Sequence, residues 1–300
     1  MSPKPFILLL IAQALFGAWG VAARALPLSG PALVALMAAG GLLFTRFTTP
    51  GPIFPIPRKS LWAGINLCVD TLLLIAAYRG LPFAVAIALH YLGPLIVQAA
   101  APWLLREIPD RRQIMLACTG FAGGVLAAGP SGFIEAHAFA IAAALASAVT
   151  LAGNIILQKR RMTDDPDPGQ AVGQYNMVLG LAAAAVLAVS GGLPGLLAQR
   201  PSVWLEALLA GVLIQGVALV FFNRALVSLR GTVTAVVSTT EIPFAILFGA
   251  IIYSQHLTAF QWVGVALVGL SVAGLKTEVD LSGTVATAVS DDGKPGNVLE

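Results

Sequence analysis

The chain has 300 residues, of which 58% are hydrophobic and 10% charged, with a formal net charge of +3. Soluble globular domains carry about 25% charged residues, so this composition excludes a water-soluble fold and specifies an integral membrane protein. The only cysteines, Cys68 and Cys118, lie in apolar stretches and read as small buried residues, which excludes a disulfide framework.

Ten apolar spans are predicted in chain order, at residues 6–26, 31–47, 60–79, 83–105, 112–130, 136–158, 169–191, 203–225, 232–254 and 258–275. About 20 helical residues cover the roughly 30 Å hydrocarbon layer. The first span follows Lys4 and ends in VAARA, which resembles a cleavage site, but nine further spans predict a retained helix. It holds Gln13 and Trp19, the latter two thirds of the way along, where interface anchor and cavity residue stay open.

In the third span Asn66 and Asp70 are four residues apart on one face, and Tyr78 closes the span. The fourth contains Pro94, with His90 one turn earlier on a face with Ile87, Tyr91 and Gln98. Asn154 and Gln158 fall in the sixth span, and Gln215 and Asn223 in the eighth. The ninth contains Pro243 two residues after Glu241, which shares a side with Thr234, Ser238 and Ala245. The glycines of the fifth and tenth spans, among them Gly120, Gly124, Gly264 and Gly269, read as packing contacts. Trp62, Trp103, Trp204 and Trp262 lie near span ends and read as interfacial. QKRRMTDDPDPG, from Gln158 to Gly169, is a polar break between the sixth and seventh spans, and the tail from Lys276 reads as disordered.

With the N-terminus inside, 14 basic residues fall on the inner side and three, Arg24, Arg79 and Arg200, on the outer. This bias predicts both termini in the cytoplasm. The segments around Pro94 and Pro243 match each other: Ala86 falls on Ala235, His90 and Tyr91 on Thr239 and Thr240, and after one slip Ala77 on Ala225 and Leu81 on Leu229. Five spans per unit is odd, so the units are inverted, as in many secondary transporters. Proline within a membrane helix removes a donor and frees a carbonyl one turn earlier, so Pro94 and Pro243 are the candidate hinges or kinks.

The paired pattern of a Leu-Pro or Leu-Arg turn, a small-residue run, a central proline and a Gly-rich closing helix (GFAGGVLAAG, GVALVGLSVAGL) resembles the EamA branch of the drug/metabolite transporter superfamily. The resemblance implies an all-α integral membrane fold of ten transmembrane helices in two inverted five-helix repeats, at residues 1–135 and 136–275, with 276–300 a cytoplasmic tail. It implies a central cavity bounded by the first four helices of each half. It also implies export of amino acids and related metabolites, on the pattern of bacterial exporters including the aromatic amino acid type. The family's frequent Gly-Glu pair after the ninth helix is here Ser254-Gln255.

An ionisable group at membrane depth is costly unless paired or hydrated, so each intramembrane one is a functional candidate. For His90, Asp70 and Glu241, a substrate or proton role and a structural bond to another helix both stay open. The candidate substrate-binding set is Trp19, Asn66, Tyr78, His90, Tyr91, Asn154, Gln215 and Glu241. The chain has no GxxxxGK[ST], HExxH or GxSxG motif and no Cys/His cluster, so no catalytic residue, metal or cofactor is expected. The expected partners are a small solute and the lipid bilayer, without nucleic acid, in a monomer of the cell's inner (plasma) membrane. A weak preference for aromatic or hydrophobic amino acids follows from the aromatic candidates. Carriers of nucleotide sugars or lipids, and an intramembrane enzyme using His90 with Asp70 or Glu241, are the alternatives.

Overall fold

A backbone in lipid has no water to bond, so long apolar runs close their hydrogen bonds within helices. The computed structural model describes residues 4–49, 51–128, 138–252 and 257–289, and every regular element among them is helical. They form α1 (Lys4–Ala25), α2 (Gly30–Thr48), α3 (Arg58–Gly80), α4 (Phe83–His90 and Gly93–Leu104), α5 (Arg111–Ala128), α6 (Ala138–Asp164), α7 (Pro168–Val189), α8 (Pro201–Ser228), α9 (Gly231–Ser238 and Glu241–Ile252) and α10 (Ala259–Val289), with one further short helix, Leu193–Leu197, between α7 and α8. All except α5 and α10 are long and apolar enough to cross a membrane; the apolar part of α10, Ala259–Leu275, is shorter. The chain is thus an all-α, multi-pass membrane protein. The expected repeat boundary at 135/136, the Ser254-Gln255 pair and residues 290–300 lie outside the described residues. Helical backbone continues past Leu275 to Val289, into the segment expected as a tail.

Local chemistry sets several boundaries. Asp167 caps α7, its carboxyl accepting from the Gln170 N–H at 3.0 Å, with Pro168 in the first turn where no donor is lost. The polar QKRRMTDDPDPG segment is not all loop, because α6 runs on to Asp164. That extension buries Arg161, which is paired with Asp165 and donates to Ser60. Lys59 at the start of α3 pairs with Asp164.

The helices α4 and α9 are both broken, each just before its proline. Pro94 and Pro243 lie in the first turn of the second segments, where a missing N–H costs least. The carbonyls around the α9 break find side-chain donors: Thr239 Oγ1 bonds the Val236 carbonyl at 2.7 Å and Thr240 Oγ1 that of Val237 at 2.8 Å. The Thr239 carbonyl itself accepts from the Ile242 N–H at 3.1 Å. Helix α1 is also interrupted, at Ala18.

The principal helix contacts are kept when the two halves are exchanged, although α5 packs against α9 more than α10 does against α4. The α3–α6 contact has its counterpart in α8–α1, α4–α6 in α9–α1, and α3–α7 in α8–α2, while α2–α7 and α5–α10 map onto themselves. The first helix of each half therefore packs against the other half. Two bundles result, α3, α4, α6 and α7 against α8, α9, α1 and α2. At the α2–α8 crossing the backbones touch so closely that a Cβ on Gly211 would fall 2.2 Å from the Met37 carbonyl oxygen. The same holds where α5 meets α10, with a Cβ on Gly264 only 2.5 Å from the Gly123 oxygen, as small residues at membrane crossings allow. Cys68 is buried as expected, but Cys118 is exposed, because α5 turns that face away from α10.

Candidate functional site

A cavity of about 100 Å³ lies between the two bundles. It is lined from α1, α3, α4, α6, α8 and α9, three helices of each half. The expected four per half are reduced to three because α2 and α7 pair with each other at the flank.

One wall is polar. Both oxygens of Asp70 on α3 accept hydrogen bonds from α6, Oδ1 from Thr150 Oγ1 at 2.6 Å and Oδ2 from Asn154 Nδ2 at 2.8 Å. Asn66 Nδ2 in turn donates to Asn154 Oδ1 at 2.7 Å and to the Thr150 carbonyl at 2.8 Å, fixing the orientation of the Asn154 amide. His90 closes the wall, with Nδ1 at 2.9 Å from Ser147 Oγ and 4.0 Å from Asp70 Oδ1. Since Ser147 Oγ donates to the Ala144 carbonyl at 2.7 Å, the network assigns the imidazole hydrogen to Nδ1.

The opposite wall, from α1 and α8, is built mainly of aromatic and aliphatic side chains, with Gln13 and Gln215 among them. Phe16 on α1 and Phe222 on α8 meet edge to face, with centroids 6.0 Å apart, beside Trp19, Ile214 and Leu219. The offset that pairs Ala77 with Ala225 sets Ala218 against Asp70, so the exchange that preserves the packing does not preserve the chemistry. Where the walls meet, at the two helix breaks, Tyr91 on α4 donates to Glu241 Oε2 on α9 at 2.5 Å. The His90 and Tyr91 rings pack edge to face, 5.4 Å between centroids.

Of the expected substrate-binding residues, Trp19, His90, Tyr91, Asn154, Gln215 and Glu241 line the cavity together. Asn66 stands behind Asn154, and Tyr78 is buried outside the lining. Trp19 is buried, whereas Trp62, Trp103 and Trp262 are exposed near helix ends. Asp70, Gln13 and Gln158 also reach the cavity. The reading of the sequence missed Phe16 and Phe222, and missed Ser147 and Thr150, which bond to the lining. Phe16 lies three residues from both Gln13 and Trp19, and Ser147, Thr150 and Asn154 are spaced three and four apart; each set marks one helix face. A second omission is the stretch Val212–Ala218, which has π-helical bonding and carries Gln215 into the lining. Such wide turns cluster at functional sites and have no simple sequence signal.

The bundles are bonded to each other at both ends. At the end rich in Lys and Arg, Lys159 Nζ on α6 donates to the carbonyls of Leu226 and Leu229 on the other bundle, both at 2.8 Å. There Arg106 takes a left-handed φ of 57°, and the next residue, Glu107, caps the start of α9. Its carboxylate accepts from the N–H groups of Gly231 at 2.9 Å and Thr232 at 3.0 Å. At the opposite end Arg24 on α1 reaches the Leu81 carbonyl at 3.4 Å and Arg79 the Leu28 carbonyl at 2.9 Å. Leu81 and Leu229 are the residues that the internal repeat aligns, so Arg24 and Lys159 make corresponding contacts at opposite ends.

Among known proteins, the EamA-like transporter family matches residues 138–277. No curated protein matches the chain. A solved structure described as "Crystal structure of protein" superposes with a TM-score of 0.75 at 18% identity, covering 92% of this chain and 97% of that one. At that identity the likeness concerns the fold.

Proposed function

We propose that this chain, a membrane transporter of the EamA-like family, exports amino acids and related small metabolites, aromatic or otherwise hydrophobic amino acids first among them. The observation that carries the reading is the cavity with one hydrogen-bonding and one aromatic wall, set between two bundles. Such a cavity suits an amphiphile, whose polar end replaces lost water while its apolar part leaves it. Transport proceeds by alternating access, the bundles rocking about the cavity with Pro94 and Pro243 as the yielding points of α4 and α9. The corresponding Arg24 and Lys159 contacts act as alternating latches, one released as the other closes. The basic end faces the cytoplasm and the protein resides in the inner (plasma) membrane. Carriers of nucleotide sugars or lipid phosphates are disfavoured, because no Lys or Arg lines the cavity among the described residues.

Counterflow of labelled amino acids in proteoliposomes tests the reading. His90→Ala and Trp19→Ala are each expected to slow exchange at least about tenfold, the effect of losing one well-placed buried contact. Unchanged exchange in both variants overturns the site, and no exchange of any amino acid overturns the substrate class.

A further inference from the structure

The Asp, Glu and His side chains that line the cavity are Asp70, His90 and Glu241, and among the described residues no Lys or Arg lines it. The two carboxyl groups come from different halves, Asp70 from the first and Glu241 from the second. The two carboxyl groups are not equally occupied. Asp70 has a donor on each oxygen, whereas Glu241 accepts from Tyr91 on Oε2 only, and Oε1 has no hydrogen-bond partner among the described residues. Glu241 is 9% exposed as a residue and lines the cavity, so the acceptor without a partner belongs to a side chain that borders the space a solute would fill. A carboxyl oxygen that borders a cavity without a protein donor is complemented by a group that brings donors and positive charge. An ammonium group has three donors and no acceptor, the complement of an acceptor-only oxygen. A free carboxylate on the same solute would find two carboxyl groups and no cation.

Resting on the transporter reading above, we propose that the cavity accepts, beyond amino acids, organic ammonium ions with an apolar substituent, and holds them more tightly than the corresponding zwitterions and acids. Glu241 Oε1 is the anchoring acceptor and Asp70 the second counter-charge. The Phe16–Phe222 pair and Trp19 hold the apolar part, with the indole face also available to the cation. Size adds a condition: about 100 Å³ is less than the roughly 150 Å³ that admits a benzene ring. An aryl substituent therefore parts Phe16 from Phe222 as it binds, and compact substituents bind with less rearrangement.

Three probes sharing one apolar body and differing in charge decide the matter: phenethylammonium, phenylalanine and 3-phenylpropionate. Their binding to the purified full chain is followed by calorimetry and by the fluorescence of Trp19, using Trp19→Phe to assign the signal. Phenethylammonium is expected to bind at least about tenfold more tightly than phenylalanine, and phenylpropionate more weakly than either, since an unpaired like charge in a buried site is strongly disfavoured. In Glu241→Gln, a near-isosteric change, the amine is expected to lose about tenfold while the order of amine over zwitterion collapses. The comparison on the unmodified protein needs no variant to fold. Phenylalanine binding as tightly as the amine overturns this inference and leaves the amino-acid reading standing. An unchanged amine affinity in a folded Glu241→Gln protein overturns the anchoring role. Binding of none of the three overturns both the inference and the aromatic preference on which it builds.

Discussion

Replacing Asn154 by leucine is expected to stop transport and to destabilise the protein by about 2–4 kcal/mol, the range for stranding one partner of a buried charged hydrogen bond. The cause is specific. Asn154 Nδ2 supplies one of the two donors to Asp70, and Asn154 Oδ1 accepts from Asn66, so one substitution leaves a carboxyl oxygen without its donor and takes from the Asn66 amide one of its two bonds. If that account holds, the same change on an Asp70→Asn background costs far less, because the charge has gone. Thermal unfolding of the four proteins of this double-mutant cycle in detergent measures the coupling. A coupling near zero, or an Asn154→Leu protein with parental stability and exchange, removes the polar wall from the account.

The second large effect is expected at the basic end. Lys159→Met combined with Glu107→Ala deletes both 2.8 Å bonds to the Leu226 and Leu229 carbonyls and the cap on Gly231 and Thr232. Each group holds one bundle to the other, and the charge-assisted bonds lost are worth about 1.5–3 kcal/mol apiece before solvent compensates. The variant is expected to favour the conformation open at that end, shifting the population by about tenfold or more. Labelling of a cysteine introduced at Gln158, which lines the cavity, by an impermeant thiol reagent from the basic side reads this out in a Cys68→Ser, Cys118→Ser background. Faster labelling is the expected result, and an unchanged rate removes the latches.

Much of this architecture is legible in the sequence because lipid and proline impose simple rules. A backbone without water must be helical for the whole thickness of the bilayer, and each span reports this as an unbroken apolar run. Proline cannot donate, so Pro94 and Pro243 mark the breaks of α4 and α9, whereas the interruption of α1 at Ala18 has no proline to announce it. The membership of the cavity is partly legible, since His90, Tyr91, Asn154, Gln215 and Glu241 are polar groups where polarity is costly. What sequence spacing does not carry is neighbourhood. Nothing in the periodicity of α1 says that it packs against α8 and α9 rather than α3 and α4, and that exchange of first helices puts Phe16 beside Phe222. Tyr78, at the end of its span, reads as lining, yet its burial lies outside the cavity. Arg161 reads as a loop residue because its neighbours are charged, but its pairing with Asp165 and Ser60 lets α6 continue through it.

The internal repeat gives the frame, and its departures give the chemistry. Tyr91 falls on Thr240 and Asp70 on Ala218 when the halves are aligned, so the network of Asp70, Asn154, Thr150 and His90 exists on one side of the cavity only. An amphiphilic solute is thereby oriented, with its polar end toward α3 and α6 and its apolar part toward α1 and α8.

Paired spin labels measure the rocking of the two bundles directly. Labels at the exposed positions Arg160 and Ser228 span the basic end, and labels at Ala25 and Pro82 span the other. With transported solute added to proteoliposomes, the account predicts opposite changes, the Arg160–Ser228 distance lengthening in the population whose Ala25–Pro82 distance shortens. Distances that stay fixed at both ends, or lengthen together, while counterflow of the same solute proceeds would contradict it.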